Sequence, residues 1–381
     1  MRGIMDEFAV RTGLSSKVPP KRYLWTDAFA VCNFLGLAEA TERAEYRDLA
    51  LDLIGQAHRI LGRHREDDPR KGWISGLSEE EGEEHPTAGG LRIGKRLPER
   101  RPGQPFDPDL EWERDGQYFH YLTKWAHALD VAARATGERK YSQWARELME
   151  RASASFVYRD REGRVGMYWK MSIDLSTPLV PTMGQHDPVD GCVTSLQLVS
   201  TTSDSSELRR WSVVYESIAL SHSLGTTDPL GIGGLLNDSI RLAQLIHLYD
   251  LGSRRLLQKL LRAASTGLSA WALSKPWERP AELRLAFREL GLSIGLKGVR
   301  WLREEVLPAM DSKVRTEELQ KILASIGQYE SVGEDVIEFW TDPENRKGSI
   351  WAEHEDINSV MLGTALIPLG YLKLSGRRLE G

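Results

Sequence analysis

Three stretches of the chain gather acids, imidazoles and aromatic rings densely enough to do chemistry. The first, around residues 107–125, sets Asp107, Asp109, Glu111, Glu113 and Asp115 beside Trp112, Tyr118, His120 and Trp125. The second, DLSTPLVPTMGQHDPVDGC, places Gln185, His186, Asp187 and Asp190 directly before an apolar run. The third ends in Trp351, Glu353, His354, Glu355 and Asp356, and a sparser fourth carries His222 and Asp228. Two carboxyl groups flanking a glycosidic bond hydrolyse it, one as acid and the other as base or nucleophile. Glu113 or Asp115 on one side and Asp187 or Asp190 on the other are the pairs suited to that task. Imidazoles titrate near neutrality and move protons next to a carbonyl, which singles out His186 and His354. Aromatic faces pack on the C–H groups of sugar rings while polar groups bind the hydroxyls. Trp73, Trp112, Tyr118, His120, Trp169, Gln185, Trp351, Glu353 and Asp356 are therefore candidate substrate-binding residues, forming a concave wall of the usual ligand-site kind.

Each residue also has a plainer role. Asp115 and Asp190 can cap helices, where a carboxylate accepts backbone N–H bonds, and Asp187-Pro188 can be a turn. Capping alone does not call for Trp112, Tyr118 and His120 in the same loop. Trp144, Trp211, Trp271 and Trp301 fall within helical patterns and read as core anchors. No spacing matches a zinc motif such as H-E-x-x-H, and no phosphate or dinucleotide glycine motif is present, so neither metal nor cofactor is expected. The basic run Arg92, Lys95, Arg96, Arg100, Arg101 is either a solvated face or an attraction for an anionic sugar.

The elements that must position these groups are helices. Apolar residues recur at three- and four-residue spacing over about a dozen segments, among them 279–295, 298–308 and 311–326, with little strand-like alternation. A repeat appears when the chain is shifted by 95 residues: VCNFLGLAEATERAEYRDLALDLIGQAHRIL lies on AHALDVAARATGERKYSQWARELMERASASF, with Tyr46 on Tyr141, Ala50 on Ala145 and Leu53 on Leu148. A weaker third copy turns at Gly252, and GLKG at 295–298 reads as another turn between helices. Helical hairpins must stack to bury their apolar faces, in an open solenoid or a closed ring. Short turns within hairpins and long connections between them (63–116, 158–189, 224–233, 341–355) favour a ring with loops gathered on one face.

With turns such as ATGERKY, outer helices such as YSQWARELMERASASF and extended pieces such as VGMYWK, the chain resembles the six-hairpin (α/α)6 toroid superfamily. That superfamily includes many glycoside hydrolases and the N-acylglucosamine 2-epimerase group. The resemblance implies an all-α (α/α)6 toroid, taken as one domain over residues 1–381.

Composition narrows the partners. Fifty basic against 55 acidic residues give a net charge of -5, no field for nucleic acid or anionic lipid. Two isolated cysteines point to a reducing, cytoplasmic setting, and the first residues lack a signal peptide's apolar core. The expected partner is a small carbohydrate, without nucleic acid or membrane; oligomeric state is left open. The leading expectation is a glycosidase-like hydrolase using two carboxylates. The alternatives are a sugar epimerase or isomerase using histidines, and a non-catalytic helical-repeat scaffold.

Overall fold

The computed structural model describes residues 1–101, 103–202, 205–311 and 315–374. Thirteen helices carry the architecture: α1 (Arg2–Arg11), α2 (Leu24–Thr41), α3 (Ala44–Leu61), α4 (Phe119–Thr136), α5 (Arg139–Phe156), α6 (Asp187–Val199), α7 (Ser206–Ser221), α8 (Pro229–Tyr249), α9 (Arg254–Ala272), α10 (Ala286–Trp301), α11 (Glu317–Gly327), α12 (Glu330–Thr341) and α13 (Glu355–Leu366). The 95-residue repeat is reproduced in the element bounds, since α2 and α3 shifted by 95 residues coincide with α4 and α5.

Helices α2, α4, α6, α8, α10 and α13 form an inner ring in which each packs on the next and α13 returns to α2. The chain is thus an (α/α)6 toroid, not an open superhelix. Outer helices α3, α5, α7, α9 and the α11–α12 pair back the inner ones, and the amino-terminal α1 closes the sixth position by packing on α13. The two layers differ in sequence as their surroundings require. Outer α9 buries one stripe, Leu256, Leu257, Leu260, Leu261, Ala264 and Leu268, and turns its basic residues outward. Inner α2 is buried without interruption from Leu24 to Leu37, as a helix enclosed on all sides must be. Hairpin turns are short because a left-handed residue ends the inner helix: Glu42, Gly137 and Asp250 each adopt positive φ.

One expected turn is absent. The segments 279–295 and 298–308 do not form two helices about GLKG; Gly295 and Gly298 lie inside α10. A Cβ on Gly298 would stand 2.5 Å from side-chain atoms of Ile240 and Leu372, so these glycines serve close helix approach instead of a bend. The helix expected over 311–326 begins at Glu317, and residues 312–314 lie outside the described part.

Among the described residues the long connections carry five short strands: β1 (Gln117–Tyr118), β2 (Val157–Arg159), β3 (Val165–Met167), β4 (Lys170–Met171) and β5 (Pro178–Val180). Antiparallel β1–β4–β5 pairs Gln117 with Met171 and Lys170 with Val180, and β2–β3 is a hairpin. Because β1 runs directly into α4, this small sheet fixes how the chain enters that inner helix. Among the described residues no helix is long and apolar enough to cross a membrane.

Candidate active site

The inner ring encloses a cavity of about 320 Å³, lined chiefly from the amino-terminal halves of inner helices. Helix α2 contributes Trp25 and Phe29, α4 contributes His120 and Lys124, and α6 contributes Asp187 and Asp190. Helix α8 adds Asn237 and Asp238, and Met361 and Tyr371 complete the floor. Gly234 faces the open space: a Cβ there would meet no atom within 4 Å. Proline at the start of α6 and α8 suits a first helical turn whose N–H groups have no intrahelical partner. The acids of α6 thereby arrive at a helix start that points into the ring.

Two imidazoles border the cavity. His120 Nδ1 stands 3.5 Å from Asp187 Oδ1, a charge contact too long for a good hydrogen bond. Neither that Nδ1 nor Asp187 Oδ2 has a hydrogen-bond partner although both are buried. Tyr118 stacks on the His120 ring at 5.4 Å. His186 Nε2 lies 3.1 Å from the Leu224 carbonyl, to which it donates when it carries the proton. Burial pushes the His186 pKa below its ordinary value, so this ring is neutral at pH 7.

Beneath them is a buried group of charges. Lys124 Nζ meets Asp190 Oδ1 at 2.5 Å, and the Asp190 and Asp238 carboxyls are hydrogen-bonded to one another. Arg241 donates to Asp238 Oδ1 at 3.0 Å and to Gln197 Oε1 at 2.6 Å from behind the cavity wall. Burial opposes the charge on Lys124, but Asp190 more than compensates and its pKa is raised. Burial also disfavours the charged form of Asp190, and Lys124 outweighs it, holding the carboxyl below its usual range. Asp238 takes the opposite course: burial, then the neighbouring Asp190 charge, push it up to about 7.

His120, Trp169, Gln185, His186, Asp187 and Asp190 are the sequence-identified residues that come together here, with Asp228 at the rim. Gln185 donates to the Gly225 carbonyl at 2.7 Å, tying its loop to the one before α8. Trp112 is half exposed and tilts against Trp169 at 5.8 Å and Tyr118 at 6.0 Å, extending an aromatic wall outward from the cavity.

The other candidates lie elsewhere, each for a visible reason. Asp115 is fully buried and accepts hydrogen bonds from Arg92 at 3.0 Å and the Gly94 backbone at 3.0 Å, with Arg65 at 3.3 Å. It pins a loop and neither lines the cavity nor caps α4. Glu113 is exposed at the end of a short helix, Pro108–Glu113. His354 and Glu353 border a separate cavity of about 290 Å³ beside Arg11, Lys21 and Tyr23. Asp356 is held there by Arg11 and Lys21, both at 2.7 Å. Trp351 is buried and stacks on Trp340 at 5.5 Å. Trp73 is buried beneath the Arg63 guanidinium at 4.5 Å and against Gly82. Within the basic run, Arg92 engages Asp115, Arg100 engages Glu111 at 2.9 Å, and Lys95 lies 5.1 Å from the centre of the Trp112 ring.

Lys124, Asn237, Asp238 and Tyr371 escaped the sequence reading because they sit inside helical patterns. The available signal was charge inside otherwise apolar inner segments, LTKWAHALD and LLNDSIRLAQL.

No family model matches the chain, and no curated protein matches it in sequence. Solved structures do resemble it. A cellobiose 2-epimerase from Spirochaeta thermophila DSM 6192 superposes with a TM-score of 0.50 at 12% identity, over 95% of this chain and 96% of that one. A sugar epimerase from a ruminal bacterium gives a TM-score of 0.45 at 10% identity, over 81% and 75%. At such identity the first likeness speaks for the shared toroid fold.

Proposed function

We propose that the protein is a carbohydrate-active enzyme of one toroid domain that epimerises or isomerises a small reducing sugar by proton transfer at C2. The observation that carries this reading is the pair of imidazoles on one cavity, His120 facing Asp187 and His186 facing the Leu224 carbonyl, above Lys124. The neutral His186 ring is the base, and the Asp187 carboxylate beside His120 Nδ1 offsets the positive charge of that ring when it enters the step protonated, as the acid. In the open-chain aldose the hydrogen on C2 is acidified by the C1 carbonyl. One imidazole removes it, and the Lys124 ammonium offsets the negative charge that grows on the enediolate oxygens. Return of a proton to the other face of C2 by the second imidazole, which enters the step as the imidazolium, gives the epimer; return to C1 by the first, now protonated, gives the ketose. His120 takes the place that His354 held in the sequence-based pairing. That the toroid is shared with a cellobiose 2-epimerase supports the same choice.

Hydrolysis has less support. Glu113 and Asp115 stand outside the cavity. Asp190 and Asp238 are in mutual contact, whereas flanking a glycosidic bond takes carboxyls about 5 Å or more apart. The test is proton NMR in D₂O with neutral aldoses and their disaccharides. Loss of the C2–H signal with growth of an epimer or ketose is expected. Release of the aglycone from aryl glycosides, without exchange at C2 of any free sugar, would overturn the proposal in favour of hydrolysis.

A further inference from the structure

An aldose in water is almost entirely a closed ring, and the closed ring has no carbonyl to acidify C2. Ring opening needs two proton transfers at one carbon: a base takes the proton from O1 and an acid gives one to O5. Since both oxygens are bonded to C1, the base and the acid must stand side by side. Two isolated carboxyls cannot do this, but two in contact can. The cavity floor holds such a pair, with Asp190 on α6 against Asp238 on α8, both bordering the open space. Asp190 is held by Lys124 at 2.5 Å and Asp238 by Arg241 at 3.0 Å. The imidazoles do not use this pair for the step at C2, so it has no other task in the mechanism above.

We infer that the Asp190–Asp238 pair opens the pyranose ring of the bound aldose, giving the protein an anomer-interconverting activity of its own. Asp190, as carboxylate, takes the proton of the anomeric hydroxyl while the C1–O5 bond breaks and C1=O1 forms. Asp238 passes the proton it shares to O5. One proton enters the pair and one leaves, so the pair is ready for reclosure on either face. Asp238 is faced by Asp190, Lys124, Arg241 and Tyr371, and Asp190 additionally by His120. Among these the pair keeps one proton up to about neutral pH, because burial and the Asp190 charge push Asp238 up to about 7.

The inference rests on the aldose reading, but its readout is separate. Freshly dissolved α-D-glucose, α-D-mannose and cellobiose are followed by polarimetry at low buffer concentration with the whole chain. Acceleration of the approach to anomeric equilibrium is expected for at least one sugar. It is expected to fall at least tenfold in Asp238→Asn and Asp190→Asn, to return in part in Asp238→Glu, and to stay unchanged in His354→Ala. Should the asparagine variants not fold, the wild-type profile decides: acceleration must decline as pH rises past about 7, where the shared proton is lost. No acceleration with any of the three sugars, an Asp238→Asn variant as fast as wild type, or a profile flat from pH 6 to 8 overturns the inference. Anomer interconversion without exchange at C2 would sink the epimerase proposal alone, and exchange without it would sink this one alone.

Discussion

At the scale of single residues, the cavity floor combines what is costly to bury with what makes it tolerable. Lys124 and Asp190 neutralise each other, and removing one partner of such a buried pair typically costs about 3–5 kcal/mol because the other charge is stranded. Lys124→Met is therefore expected to destabilise by that order, measured by urea unfolding. Asp238 gives a pH signature. Its carboxyl titrates near 3.8 ordinarily and near 7 in the fold. Between those values the native state binds more protons than the unfolded chain, so this group's contribution falls as pH rises from about 4 to 7 and is level above. Asp238→Asn removes that slope. The variant's stability relative to wild type should climb across this window by at most about 4 kcal/mol, as that carboxyl rises from 3.8 to about 7. A difference independent of pH would show that Asp238 titrates normally.

At the scale of elements, the ring depends on inner helices approaching closely. A Cβ on Gly233 of α8 would stand 2.2 Å from the Gly291 carbonyl oxygen of α10, backbone that cannot swing aside. The same addition at Gly298 meets only side-chain ends. Gly233→Ala should thus cost about 1–3 kcal/mol or more by overpacking, and Gly298→Ala less, with melting temperatures ranking the two. Gly234 makes the opposite case, since its Cβ direction is open. Gly234→Val should keep or slightly raise stability through helix propensity while raising KM at least tenfold by filling the cavity; an unchanged KM would place the substrate elsewhere. The periodicity that bounded the hairpins was legible because outer helices are amphipathic and the α2–α3 and α4–α5 units repeat. What stayed hidden follows from burial. Inner helices are buried on nearly every side, so a 3.6-residue pattern does not say which side of Lys124 or Asp238 meets the cavity. Long loops full of acids attract the eye, yet Asp115, Asp356 and Glu111 are spent on arginines and lysines that hold those loops in place. His186, Asp187 and Asp190 were legible because they fall at the start of an inner helix, where any closed ring must direct them inward.

At the scale of the whole molecule, closure is what turns scattered residues into a site. Helix α1 completes the ring against α13, joining the two ends of the described chain. The central claim is that His120 and His186, not the acids of the loops, move the proton at C2. It is tested most directly by NMR-detected exchange at C2 in D₂O, comparing wild type, His120→Ala, His186→Ala and His354→Ala on the sugar that wild type turns over. General acid–base groups contribute about 10²–10⁴-fold, so losses of that size are predicted for His120→Ala and His186→Ala, with His354→Ala within about threefold of wild type. Exchange that survives loss of His120 or His186, or that disappears only with His354, would contradict the account.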